Sequence, residues 1–369
     1  MANQTLHLHP GEILNDLLNE RGLSQRELAS RLDIAHSLLS NILNGNRSIN
    51  IKLAISLQAV GFNDANFWLT KQLAYDLQEA EKDDDVIKKQ EAIKAWNEIE
   101  NIVPTAYFKK YNILTSDVEE NMKIILDIYN AGNVEVLKNT VNNYSFNHYR
   151  KSEKFNENKN NVIAWSYLAE YKAKQETVNS FSKSNESKLI SELNRCFYRC
   201  FYENIDVINE AKSVLNKYGI KFFILERPSQ TPVDGKSFIC GENPAIVLSL
   251  KYSRLDNFAY TLMHELGHVF LHLIHKKYKN ENFFINAPNI KVEEAEADSY
   301  AENHLIDINE WNEFILTHDE YDDDTIIEFA EKIAVHPAII RGRVCHEYPD
   351  YYRKRSSINA INTIKTDHN

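Results

Sequence analysis

The chain has 369 residues, 43% of them apolar, and carries 42 Lys and Arg against 53 Asp and Glu, a net charge of −11. That length predicts two or three domains with cores of their own. The acidic balance excludes a bulk nucleic-acid coat, so any contact with DNA must come from a local patch. Of the four cysteines, Cys196 and Cys200 stand at i, i+4, but no two further ligands are spaced to complete a metal site. Buried free thiols are expected. The N-terminus has no basic, apolar and small-residue series, and no run of about 18 uncharged apolar residues occurs. A cytoplasmic protein with no membrane segment is the expectation.

Residues 1–80 read as a compact helical domain. Pro10 opens a helix through Leu14, Leu17 and Leu18, which stops near Gly22. Ser24 with Glu27 three places on is a capping box for a helix over Gln25–Leu32. A short turn follows, then a helix over His36–Leu43 whose Leu38, Leu39, Ile42 and Leu43 face inward. Two short helices on a tight turn are a helix-turn-helix plan. His36, Ser37, Ser40, Asn41 and Asn44 are left outside, short enough to enter a major groove and able to hydrogen-bond base edges. Gln25, Arg47 and Lys52 are placed to reach phosphates. An ordinary helical bundle with a polar face would show the same pattern.

Longer strings go further. His9-Pro-Gly-Glu-Ile-Leu, Ser24-Gln-Arg-Glu-Leu-Ala, Leu43-Asn-Gly-Asn-Arg-Ser-Ile, Phe67-Trp-Leu and Tyr75-Asp-Leu resemble the XRE/Cro-type helix-turn-helix, and more closely the HigA-type antitoxins, over about residues 1–78. The resemblance implies binding to a double-stranded, palindromic operator as a homodimer. One departure is His36, where many relatives carry a small or amide residue, so the operator sequence stays open.

Residues 78–105 read as charged helix with a break at Asp83–Asp85, ended by Pro104. Residues 106–220 read as mostly helical, with loops near 130–132, 152–161 and 180–187 and no chemical motif. Short strands follow at Lys221–Glu226, Lys236–Cys240 and Ala245–Leu250. A strand edge there would suit pairing with an extended peptide.

The chemistry concentrates in His264-Glu265-Leu266-Gly267-His268. On a helix, His264 and His268 project from one face at the spacing two ligands of one Zn²⁺ need. Glu265 lies beside that axis, where a carboxylate can take a proton from a water polarised by the metal. Such a string also arises by chance. The flanking apolar residues at 262, 263, 266, 269, 270, 273 and 274 predict a buried helix, in which unpartnered His and Glu would be costly. Glu294 stands 26 residues beyond His268, room for a turn and a return helix, and Asp298 one turn on suits a hydrogen bond to a ligand histidine. Leu271 and Ile274 occupy places where the longer HExxHxxGxxH pattern requires Gly and His. His272 therefore reads as a helix residue facing a local partner, not a ligand.

Asp234-Gly235, the run Pro244–Leu250, the HELGH helix, Glu294-Ala-Glu296-Ala-Asp298-Ser-Tyr300-Ala301 and Ile333–Arg343 together resemble the ImmA/IrrE family of zinc metallopeptidases, over about 195–345. The resemblance implies a gluzincin-like fold, Glu294 as third ligand, and proteolysis of a particular protein. His336, before Pro337, is either a donor to the reaction's oxyanion or a plain turn histidine. The tail after Tyr352 reads as disordered.

The expected fold is thus mainly α with a small β-sheet (α+β). It comprises a helix-turn-helix bundle over 1–80, a helical middle region over 81–194, a zincin-like domain over 195–345 and a flexible tail over 346–369. The expected function is a DNA-binding transcriptional regulator coupled to a zinc endopeptidase that cleaves a protein partner or itself. One alternative is a HigA-type antitoxin that represses its operon and binds a cognate toxin, with the peptidase fold as a platform. Another is a stress or phage sensor that cleaves a separate repressor.

Overall fold

The computed structural model describes residues 7–143, 158–203, 205–275, 283–284 and 291–364. The chain divides into two compact units, Met1–Trp96 and Asn97–Asn369. The division falls within a charged helix, and much of the expected middle region shares a unit with the zinc motif.

The first unit holds α1 (Pro10–Glu20), α2 (Gln25–Arg31), α3 (His36–Leu43), α4 (Ile51–Ala59), α5 (Ala65–Ala80) and the start of α6 (Asp84–Ile102). Local chemistry sets most boundaries. Pro10 sits in the first turn of α1, where its missing N–H costs nothing, and His9 Nδ1 accepts from Gly11 N. Both arms of the Ser24–Glu27 capping box form at α2. Asn50 caps α4 and Asp64 caps α5. Leu14, Leu18, Leu28, Leu39, Ile42, Leu57 and Trp68 close one core.

The second unit continues with α7 (Thr105–Lys110), α8 (Val118–Ile128), α9 (Val134–Asn142), α10 (Lys159–Gln175), α11 (Glu186–Tyr202) and α12 (Val207–Lys217). The loop expected near 152–161 lies largely outside the described residues. Next come β1 (Lys221–Ile224), β2 (Gly235–Cys240) and β3 (Asn243–Leu248). With β4 (Phe283–Phe284) they form a sheet of order β1-β3-β2-β4. β1 runs parallel to β3 and the other pairs are antiparallel. β3 is therefore interior, and β4 pairs the outer edge of β2 at Lys236 and Ser237.

The His264–His268 motif begins on α13 (Leu255–Gly267), which passes at His268 into a π-helical turn, His268–Leu273. Then follow α14 (Lys291–Leu305), α15 (Ile308–Thr317), α16 (Asp323–Ile333), α17 (Pro337–Glu347) and α18 (Ile358–Ile361). A single core runs from Leu193 and Phe197 through Phe222 and Ile246 to Leu262, Leu266, Ala301 and Ile340.

On the sheet, α10 is fastened by polar contacts. Trp165 Nε1 donates to Leu225 O at 2.8 Å, and Lys221 Nζ to Ala173 O at 2.8 Å. The fully buried Lys236 ammonium donates to Ser166 Oγ and Glu170 Oε1, both at 2.6 Å. All four cysteines are free thiols.

The tail departs from its expected disorder. A 3₁₀ turn at Pro349–Arg353 and α18 pack down, burying Tyr351, Ile358 and Ile364. The buried Arg341 guanidinium holds the carbonyls of Tyr351 and Lys354, and Asn362 Oδ1 accepts from Asp256 N. The tail's polar composition hid three apolar anchors spaced too widely to show a period.

Candidate metal centre and nucleic-acid interface

In the first unit α2 and α3 pack on one another across the turn at 32–35, and Leu39, Ile42 and Leu43 turn to the core. The opposite face carries His36, Ser37, Asn41 and Asn44, all exposed, with Ser40 half-buried. Arg47 and Lys52 are exposed on the loop after α3 and the first turn of α4, and Gln25 opens α2 half-buried. The expected reading residues thus share one polar helix face flanked by two cations.

The candidate metal centre is built where α13 and α14 cross. Gly267 sets their approach. A Cβ there would stand 3.0 Å from Ala297 Cα and 3.1 Å from Tyr300 Cβ, so a larger residue fits only if α14 gives by a few tenths of an ångström. Glu294, one turn before Ala297, is thereby brought to the two histidines. His264 Nε2 and His268 Nε2 are 3.0 Å apart. Glu294 Oε1 is 3.2 Å from His268 Nε2, and Oε2 is 3.6 Å from His264 Nε2. Ligands at about 2.0–2.1 Å from a tetrahedral ion stand about 3.3 Å apart, so these separations suit one Zn²⁺. Among the described residues, this trio forms a metal-capable group, its ligand atoms all within 4.8 Å of one another.

The electrostatics point the same way. Burial lowers the pKa of His264, but the hydrogen bonds to Asp298 and Glu294 outweigh it and raise it to about 9. Burial pushes His268 down to about 4. Burial opposes ionisation of Glu294, but the two histidines prevail and hold it at about 2. Two facing ring nitrogens cannot both carry a proton, and the carboxylate favours one positive charge between them. A cation fits that demand.

Each ligand histidine has a second partner. Asp298 Oδ1 lies 2.8 Å from His264 Nδ1, as the spacing predicted, and also accepts from Tyr260 Oη at 2.9 Å. His268 Nδ1 lies 3.1 Å from His272 Nδ1, whose Nε2 is 2.9 Å from Glu296 Oε2. With His268 Nε2 toward an ion, the tautomers follow: His268 Nδ1–H donates to His272, and His272 Nε2–H donates to Glu296. His272 is thus no ligand but a bridge. The expectation of a local partner named neither of its neighbours.

Glu265 is fully buried, and its carboxylate oxygens make no well-formed hydrogen bond. Burial raises its pKa to about 8, while His264 and nearby Ser237 pull it the other way. Gly235 makes room for it, since a Cβ there would be 2.5 Å from Glu265 Oε1. Sequence reasoning quoted Gly235 and Gly267 as motif letters without seeing that each is a site of close approach.

His336 does not join this group. Its Nδ1 accepts from Ala338 N at 3.1 Å as the N-cap of α17, and its ring meets Phe201 edge-on at 5.5 Å. His336 thus caps α17 as a turn histidine would, while its Nε2 is buried with no hydrogen-bond partner among the described residues, so the cap leaves free the nitrogen that an oxyanion donor would use.

The first unit is that of a helix-turn-helix protein, and a family model described as "Helix-turn-helix" matches residues 14–60. The chain belongs to the HTH-type transcriptional regulators. It is 40% identical over 86 residues to the uncharacterized HTH-type transcriptional regulator YddM of Escherichia coli (strain K12), a match spanning 23% of this chain and 88% of YddM. It is 39% identical over 82 residues to virulence-associated protein I of Dichelobacter nodosus, 22% of this chain and 76% of that protein. Among solved structures it is similar to the Pseudomonas aeruginosa antitoxin HigA with higBA promoter. That likeness has 34% identity and a TM-score of 0.20, and covers 20% of this chain and 83% of that one. No helix among the described residues is long and apolar enough to cross a membrane.

Proposed function

We propose that this regulator carries in its second unit a zinc-dependent endopeptidase directed at one protein partner, or at the chain itself, so that cleavage relieves repression. The observation that carries the reading is the convergence of His264, His268 and Glu294 beside the buried, unpartnered carboxylate of Glu265. A zinc ion held by those three would polarise the scissile carbonyl and a water. Asp298 and His272 orient the two imidazoles. Glu265 takes the water's proton and returns it to the departing amine, a shuttle that suits a carboxyl raised toward neutral pH. A bound cation's field would draw the same carboxyl back toward its ionised form. The α3 face, with Arg47 and Lys52, reads an operator.

Glu265→Gln tests the reading. Gln keeps the shape and cannot take a proton, so zinc content should equal wild type while cleavage falls about 10²–10⁴-fold. Elemental analysis follows the zinc. Mass spectrometry of cells expressing each form follows the fragments, and a promoter reporter follows repression. His268→Ala should lose the zinc. Equal zinc in wild type and His268→Ala would remove the metal assignment. A Glu265→Gln chain with wild-type fragments and induction would favour the antitoxin-platform reading instead.

A further inference from the structure

A cavity of about 380 Å³ lies beside the metal centre. Asn257 and Tyr260 line it from α13, seven and four residues before His264, and so share the face of the metal ligands. Leu305, Ile306 and Ile339 give it a buried apolar lining, while Tyr252 and Tyr352 are exposed. Besides the exposed His346, its cationic groups are two guanidiniums, each with a carboxylate partner, and Arg343 Nη1 also donates to the Glu302 carbonyl at 3.3 Å. Arg254 is paired with Asp256, and Arg343 with Glu347 at 3.0 Å while lying over the Trp311 ring. Glu302 is different. It is half-buried, and its carboxylate has no ion pair or hydrogen bond among the described residues. The charge left unbalanced in the cavity is therefore one carboxylate.

We propose that this cavity binds a basic side chain, Lys or Arg, of the protein substrate. The aliphatic stem lies on the apolar lining and the cationic end meets Glu302 among tyrosine rings, which attract cations through their faces. The proposal rests on the peptidase reading. The helix rises about 1.5 Å per residue, which sets Tyr260 and Asn257 about 6 and 10 Å along the axis from His264. An extended chain advances about 3.3 Å per residue, so the basic residue stands two or three places from the cleaved bond. Tyr260 also donates to the Asp298 that holds His264, so the occupant touches the support of a metal ligand.

The test uses the full chain loaded with zinc and tripeptide hydroxamates, whose hydroxamate anchors on the metal. They are made in both chain directions, with arginine or its neutral analogue norleucine at the position two or three residues from the anchor. Calorimetry gives the Kd. In one direction the arginine probe should bind roughly tenfold more tightly, the worth of one charge-assisted hydrogen bond. Glu302→Gln should bring it to the affinity of the norleucine probe, with its thermal melt confirming the fold. Equal binding of the two probes in both directions would overturn the proposal and leave the peptidase reading standing. So would an arginine preference that survives Glu302→Gln. Binding by no hydroxamate would overturn both. Agmatine alone binding as tightly as the arginine probe would make a free cation the occupant and exclude the substrate side chain.

Discussion

Replacing His272 by Phe isolates the bridge behind the proposed metal site. His272 is buried, 3.1 Å from His268 Nδ1 and 2.9 Å from Glu296 Oε2. With an ion on His268 Nε2, the ring proton must sit on Nδ1, and in the Phe variant that proton loses the acceptor His272 gave it. An orphaned buried donor costs about 1–3 kcal/mol. Without metal, the ring can move its proton to Nε2 and give it to Glu294, 3.2 Å away. The penalty therefore falls almost wholly on the metal-bound state and appears as weaker zinc binding, about 10- to 100-fold, the usual range for a lost partner of a ligand histidine. Competition against a chromophoric chelator measures it. His272→Gln, which keeps an acceptor and a donor, should recover part of the loss. Glu296→Gln should cost less, because that carboxylate is more than half exposed. Wild-type zinc affinity in His272→Phe would refute the tautomer argument.

Three further outcomes are expected. The His336 pKa is held at about 4, against 6.5 unfolded, so its contribution to stability is complete above pH 6.5 and declines as pH falls toward 4. Between pH 7.5 and 5.0 the wild type should lose about 2 kcal/mol more than His336→Asn, which still caps α17, and urea titration at the two pH values checks this. Gly267→Ala should lower zinc affinity while leaving operator binding intact, since its Cβ, 3.0 Å from Ala297, moves Glu294 off the histidines. Substituting Ser40 and Asn41 together by Ala should relax sequence choice on the promoter, whereas Lys52→Ala should weaken all sites alike. Unchanged gel shifts for the double variant would put the wrong helix in the groove.

What the sequence made legible was local. Pro10, the Ser24–Glu27 box and the short apolar runs of β1 to β3, bounded by Pro and Gly, determine their own conformations within a few residues, so the elements stand close to where they were expected. His264 and His268 were legible as a pair because helical period puts them on one face, whereas the choice of Glu294 over Glu293 and Glu296 came from a resemblance and not from the spacing; the structure brings all three side chains together. What was hidden depends on contacts between distant segments. The change to π geometry at His268 has no composition signal, and it accompanies the turn that sets His272 against its neighbours. Gly235 serves a carboxylate thirty residues away, and Gly267 a helix thirty residues on. The role of His336 was undecidable because a residue before Pro caps a helix or lines a site with the same two letters. Tyr260 could have been noticed, since it stands four before His264 and four residues is one turn.

The fastening of α10 bears on how this protein can be taken apart. A fragment starting near residue 195 retains every proposed metal ligand, yet it strips the cover from one face of the sheet. The Lys236 ammonium would lose Ser166 and Glu170, and the Leu225 carbonyl would lose the Trp165 indole. Such a piece should express as aggregate or bind zinc weakly, for reasons unrelated to its chemistry, whereas a cut near residue 97, where the compact units part, leaves the sheet clothed.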